Sequence, residues 1–358
     1  MTKKKVIIFI LLIGFVYVLG IFTSVYKMKP YTLVKDITTH LANRNKNSSE
    51  LDLNFIDPLI NTTELKYKAI ENSQQIFERI DKYQVRIDSF DFIYDKIVIL
   101  STHLEGNIFT LAYQCNNKLD TLYAYYKPTI SRNSKVGINI IPGSGINQSS
   151  AIYFNNDQNK YYQSNIDDLT IKYGDTYVLV KPNEDFLAIH NGKLKIGSDL
   201  YINYLLNKGT SYSGYYLQQS LALSKYIKQT YKKLFVCGLS QGGLAALVNS
   251  LQSQPDKAVI ASGFSILMEY PYRSAHDQII LPNLILLHDA NLIKLKIRGQ
   301  KTEYLFLWGE KETGLYGREA KEGLTRKFFE ELGNVQTVVH PDGHVYYEPA
   351  INAFLTSN

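Results

Sequence analysis

A mixed α/β fold, built on a mostly parallel, doubly wound sheet with antiparallel opening strands, is predicted by three features of the 358-residue chain. From Gly137 onward, short apolar runs of strand character alternate with helical patterns, the order that produces parallel strands with helices on both faces. Earlier, between Tyr83 and Pro128, strand-like runs follow one another with only turns between them, as antiparallel neighbours do. At the centre, the buried-strand pattern Leu234-Phe235-Val236-Cys237 passes through Gly238-Leu239-Ser240-Gln241-Gly242 into the small-residue helical pattern Gly243-Leu244-Ala245-Ala246-Leu247.

Composition narrows the function classes. With 45% apolar and 20% charged residues the chain is globular and long enough to bury a full core. Its net charge of +6 comes from scattered lysines without an arginine-rich stripe, so no nucleic-acid partner is expected. Two cysteines cannot make a disulfide framework. Cys237 falls in a predicted buried strand, so free, structural thiols are expected at Cys115 and Cys237.

Taken in order, the chain begins with a predicted cytoplasmic tail, residues 1–5, containing Lys3, Lys4 and Lys5. The uncharged run Val6 to Tyr26 is long enough to cross a bilayer as one helix. The preceding lysines favour a cytoplasmic N-terminus, making residues 6–26 a transmembrane signal anchor and everything after Lys27 extracytoplasmic. The competing reading is secretion after signal-peptide cleavage, which calls for a shorter apolar region and an A-x-A-like site; this run offers only a marginal one. Residues 27–82 are polar, with an Asn-rich patch from Asn43 to Asn47, and read as a stalk or linker. Residues 83–358 are the predicted folded domain.

In that domain the opening strands are Phe92 to Ser101, Asn107 to Tyr113 and Thr121 to Tyr126. The alternating part then offers strands at Gly137 to Ile141, Tyr177 to Val180, Leu234 to Cys237, Ala258 to Ser262, Tyr304 to Trp308 and Val335 to Val339. Helices are expected at Tyr215 to Tyr231, Gly243 to Gln254 and around Phe328 to Leu332. The interval from Gly263 to Lys301 is either a cap inserted over the site or a structural insertion without substrate contact.

The G-x-S-x-G turn reads as a nucleophile elbow, a sharp strand-to-helix turn that presents Ser240 at its tip. A serine hydroxyl is a weak nucleophile at neutral pH and needs a base oriented by an acid. His344 is the candidate base, because it follows the last strand and precedes the helical pattern Tyr346 to Phe354. His340 is its neighbour and rival, at the strand end before Pro341. The spacing of His340, Asp342 and His344 could suggest a metal site, but Pro341 and Gly343 make this segment a turn, so no metal is expected. The strand Tyr304 to Trp308 runs into a turn carrying Glu310 and Glu312. Position in the turn favours Glu312 as the orienting acid, with Glu310 the alternative. Oxyanion donors are expected from the backbone of Gln241 and from the loop Pro142-Gly143-Ser144-Gly145, at Ser144 or Gly145. This chemistry requires no cofactor.

Together these segments resemble the α/β-hydrolase superfamily over about Val136 to Phe354. Ser240-Gln241-Gly242-Gly243 is similar to the S-Q-G-G of acetyl-xylan esterases and related deacetylases. Two features depart from the superfamily pattern. Its acid is more often Asp, which leaves Glu310 or Glu269 open, and the oxyanion loop lacks the histidine of the lipase-type H-G-G-G motif. The resemblance implies a serine hydrolase that cleaves a carboxylic ester through an acyl-enzyme, and the N-terminal run makes the expectation a membrane-anchored extracytoplasmic one. An acylated small molecule or glycan is the expected substrate, with 28 tyrosines available as faces for sugar rings. A serine peptidase or an acyltransferase would use the same triad, and a non-catalytic binding protein could retain the fold.

Overall fold

The computed structural model describes residues 92–115, 118–131, 135–145, 147–154, 166–182, 184, 212–266 and 290–357. The chain divides into two units, Met1–Glu71 and Asn72–Asn358, and every described residue belongs to the second. The expected anchor at 6–26, the stalk at 27–82 and the middle of the 263–301 interval lie outside the described residues. No described helix is long and apolar enough to cross a membrane.

The described strands are β1 (Ile97–Glu105), β2 (Ile108–Cys115), β3 (Lys118–Lys127), β4 (Val136–Ile141), β5 (Asp175–Leu179), β6 (Lys233–Leu239), β7 (Lys257–Ala261), β8 (Glu303–Gly309) and β9 (Val335–His340). They form one sheet in the order β1-β2-β3-β5-β4-β6-β7-β8-β9. β1, β2 and β3 pair antiparallel, β3 is antiparallel to β5, and every pairing from β5 to β9 is parallel. This is the mixed sheet predicted from the sequence, with the strand order of an α/β-hydrolase fold. The chain passes from β4 outward to β5 and then back across β4 to β6. In an open α/β sheet the carboxyl ends beside such a reversal form a crevice.

The helices are α1 (Phe92–Asp95), α2 (Gln148–Tyr153), α3 (Ile166–Thr170), α4 (Tyr212–Thr230), α5 (Gln241–Ser253), α6 (Ala290–Arg298), α7 (Gly314–Glu322), α8 (Leu324–Phe329) and α9 (Glu348–Thr356). The central strands are buried on both faces, so their apolar residues divide by period two. Ala258 and Ile260 of β7, with Tyr304, Phe306 and Trp308 of β8, pack against Leu244, Leu247 and Leu251 of α5. Val259, Ala261, Leu305 and Leu307 face the other way, toward Ile351 and Phe354 of α9. α4 covers the sheet near its antiparallel end, where Leu221, Leu223 and Ile227 join Leu111 and Leu122 in a third cluster. α6 contributes Ile293 and Ile297 to the first cluster, so the end of the interval before Lys301 is part of the core.

Two local expectations change. The segment opening at Phe92 begins as the short helix α1, and the strand starts only at Ile97. Lys225 Nζ donates to the carbonyls of Tyr94 at 2.9 Å and Asp95 at 3.4 Å, satisfying groups that a helix end leaves without partners. Strand preference is read from side chains, and here a tertiary contact outweighs it. The helix expected through Leu332 ends at Phe329, because Glu330 to Asn334 must turn the chain into β9.

Candidate functional site

Ser240 occupies the turn between β6 and α5 with φ 60° and ψ −125°, a conformation costly for a residue with a Cβ. Strain of this kind costs about 1–3 kcal/mol and persists only where surrounding contacts over-determine it. Here the Ser240 N–H donates to Ala261 O at 2.9 Å, while its carbonyl accepts the first helical bond, from Leu244 N, at 3.0 Å. Two glycines permit the close approach. A Cβ on Gly238 would lie 1.9 Å from Gly242 O, and one on Gly242 would lie 2.0 Å from Ile141 O. The turn is therefore wedged between the ends of β4 and β7. Because α5 starts at Gln241, the amides of its first turn lack intrahelical partners and carry the positive end of the helix dipole.

Two strands away, the turn after β8 carries Glu312, whose side chain is 2% exposed. Its Oε1 accepts from Gly309 N at 2.8 Å and also from the Ser262 hydroxyl, and its Oε2 lies 2.8 Å from His344 Nδ1. Three donors from three different segments thus converge on one carboxylate. The loop after β9 is tied to the same turn by Glu310 N donating to His340 O at 2.8 Å and Lys311 N donating to Asp342 O at 3.1 Å. The His344 ring also stacks on Tyr316, with centroids 6.0 Å apart and planes 24° apart. A carboxylate at Nδ1 favours the tautomer with its proton there, leaving Nε2 as the basic nitrogen of the neutral ring.

The other candidates fall elsewhere. Glu310 is exposed, and its contribution to the described hydrogen bonds is its backbone amide. Glu269 lies outside the described residues. His340 is buried and stacked on Tyr347 at 4.9 Å with planes 2° apart, and burial holds its proton affinity below the usual histidine value. Among the described residues no group of three His, Cys, Asp or Glu side chains is arranged to hold a metal ion. Both thiols are free and buried, and burial pushes that of Cys237 up to about 12.

The loop after β4 lies against the elbow. Ser144 is half-buried and Gly145 exposed, with Gly145 at φ 105° and Asn147 at φ 62°. Tyr216 Oη donates to Pro142 O at 2.6 Å, and Lys181 Nζ donates to Gly143 O at 2.7 Å and to Gly145 O at 3.0 Å. The structure therefore places four sequence-derived segments at the carboxyl edge of the sheet: the Ser144 loop after β4, Ser240 and Gln241 after β6, Glu312 after β8 and His344 after β9.

Solved structures to which this chain is similar include esterases. A carbohydrate esterase family 15 glucuronoyl esterase from Caldicellulosiruptor kristjansonii is 14% identical, with 75% of this chain and 81% of that chain covered at a TM-score of 0.49. A Bacteroides fragilis protein assigned as an acetyl xylan esterase is also 14% identical, covering 73% and 74% at 0.46. Est1E from Butyrivibrio proteoclasticus is 12% identical, covering 69% and 95% at 0.43. No family model matches the chain, and no curated protein matches it either.

Three polar residues at the site escaped sequence reasoning. Ser262, which anchors Glu312, leaves β7 with φ 43°, and its only local signal is a small polar residue followed by Gly263 at a strand end. Lys181 and Glu184 follow β5 in a turn marked only by Pro182. Nothing in that stretch distinguishes a buried lysine from a solvated one.

Proposed function

We propose that this protein is a serine carboxylic-ester hydrolase in which Ser240 is the nucleophile, His344 the general base and Glu312 the orienting acid. The observation that carries this reading is the 2.8 Å contact between His344 Nδ1 and a buried Glu312 carboxylate, at the same carboxyl edge of the sheet as the strained Ser240 elbow. Ser240 Oγ attacks the ester carbonyl while His344 Nε2 takes its proton. The amide of Gln241 and an amide of the Ser144–Gly145 loop stabilise the oxyanion of the tetrahedral intermediate. Collapse breaks the bond to the leaving alkoxide, which receives the proton from His344, and leaves the acyl group on Ser240. Water then attacks the acyl-enzyme with His344 again as base, releasing the carboxylic acid and restoring the serine.

The substrate we favour is an acylated small molecule or glycan, supported by the Ser240-Gln241-Gly242-Gly243 resemblance. The N-terminal pattern of Lys3 to Lys5 followed by the uncharged run Val6 to Tyr26 supports a single-pass anchor with the domain outside the cytoplasm.

A fluorophosphonate probe tests the chemistry on the purified full chain. Wild type should be labelled, while Ser240→Ala and His344→Ala should not; labelling that survives Ser240→Ala would refute the assignment. Acetate release from O-acetylated oligosaccharides, measured beside peptide and acyl-acceptor assays, then tests the substrate class. For location, protease added to cells with any outer membrane permeabilised should digest the domain, and full protection would refute the exported orientation.

A further inference from the structure

The loop that would supply the second oxyanion donor is held by a residue with no part in the triad. Lys181 follows β5 and is 2% exposed. Its ammonium donates to Gly143 O at 2.7 Å, to Gly145 O at 3.0 Å and to the Gln241 side-chain Oε1 at 3.2 Å. An ammonium has three protons and can donate to all three of these acceptors. The first two belong to the loop after β4; the third belongs to the residue that follows Ser240. One cation therefore bridges both structures expected to donate to an oxyanion. Lys181 also lies over the rings of Tyr212 and Tyr216, 5.9 Å and 5.7 Å from their centroids.

Resting on the ester-hydrolase reading, we propose that Lys181 is a positioning residue of the oxyanion hole, a strut that fixes the Gly143–Gly145 peptides relative to Gln241. A peptide unit is planar, so holding the Gly143 carbonyl also fixes the direction of the Ser144 N–H. Without such a tie, a loop carrying Gly143 and Gly145 would have wide backbone freedom, and an oxyanion donor works only when its direction is set before charge develops. The same turn holds the far end of the loop, where the Glu184 carboxylate accepts from Ser149 N at 2.8 Å and from the Ser149 hydroxyl. A buried ammonium is costly to desolvate, and an apolar side chain of similar length would avoid that cost. Binding two acceptors of the loop after β4 and one on Gln241 of the elbow accounts for a lysine here.

The experiment compares the full-length wild type with Lys181→Met, Lys181→Arg and Gln241→Met. kcat and KM are measured for p-nitrophenyl acetate, and thermal unfolding is followed in parallel. A strut acts on the transition state, so kcat of Lys181→Met should fall about 100-fold, the scale of losing one oxyanion donor, with KM within about threefold. Lys181→Arg, which keeps charge and donors, should recover at least about a tenth of the wild-type kcat. Gln241→Met removes one bond of the strut without leaving a buried carbonyl unpaired, and should lower kcat roughly threefold to tenfold. This variant carries the test if Lys181→Met does not fold.

The strut is refuted if folded Lys181→Met keeps kcat within about threefold of wild type, if its loss appears in KM alone, or if Gln241→Met turns over normally. A wild type whose turnover survives Ser240→Ala overturns the serine-hydrolase reading and this inference together. Normal Ser240-dependent turnover with an unaffected Lys181 variant overturns only the strut.

Discussion

Replacing Glu312 by Gln reverses one hydrogen bond and retains the rest. The carboxylate accepts from Gly309 N, the Ser262 hydroxyl and His344 Nδ1, the first two through Oε1 and the third through Oε2. A glutamine is nearly isosteric, and its carbonyl can keep the first two. Its amide group then faces Nδ1 as a donor, so the imidazole must place its proton on Nε2 to avoid two opposed N–H groups. Nε2 can then no longer accept the Ser240 proton. A wrong tautomer of this kind lowers kcat by about 10⁴-fold in a serine triad, which at 1.36 kcal/mol per decade is roughly 5.4 kcal/mol of barrier. Stability should change by no more than about 1–2 kcal/mol, since every buried group keeps a partner. The assay is kcat for p-nitrophenyl acetate and the rate of fluorophosphonate labelling, with urea unfolding to confirm the fold. Exposed Glu310→Gln should stay within about twofold of wild type. A Glu312→Gln enzyme within tenfold of wild type, or an equal loss in Glu310→Gln, would refute the reasoning.

Three further outcomes follow from the packing. Gly242→Ala would place a methyl 2.0 Å from Ile141 O and should cost upward of about 3 kcal/mol in chemical unfolding; a change below about 1 kcal/mol would show that the wedge at the elbow is loose. His340 is held neutral by burial, so its folded proton affinity lies below the unfolded value of about 6.5. The unfolded chain then binds the extra proton as pH falls below about 6.5, and the contribution of His340 to stability should drop from pH 7 toward pH 5, against the opposite contribution of Asp167, whose buried carboxyl is raised to about 6. His340→Gln should remove that drop from the pH dependence of the urea midpoint, and an unchanged slope would contradict the assignment. Finally, Cys237, pushed up to about 12 and fully buried, should resist iodoacetamide at pH 8 until urea unfolds the chain; alkylation of the native protein at the rate of a free thiol would contradict its burial.

Much of the framework was legible because it is written in local patterns. The alternation of apolar runs and helices from Gly137 onward yields the parallel strands β4 to β9, and the glycines flanking Ser240 mark a turn that only small residues can make. Both signals depend on neighbours within a few positions. The short helix α1 is not legible in this way, because its end is held by Lys225, 131 residues from Tyr94.

Local sequence specifies which residue types stand at the strand ends: Ser240 in its elbow, two glutamates in the turn after β8, and a histidine in the loop after β9. It left open which glutamate faces the histidine. That was decided by the register of β7, β8 and β9, which brings Ser262 to Glu312 across 50 positions and His344 to it across 32. The choice of Lys181 over the other lysines as the buried one also belongs to the tertiary structure, since it bonds to Gly143 and Gln241, 38 and 60 positions away. Burial and hydrogen-bond partnership are properties of the assembled sheet. A turn of the chain can specify that a carboxylate is present, while only the neighbouring strands can specify what it touches.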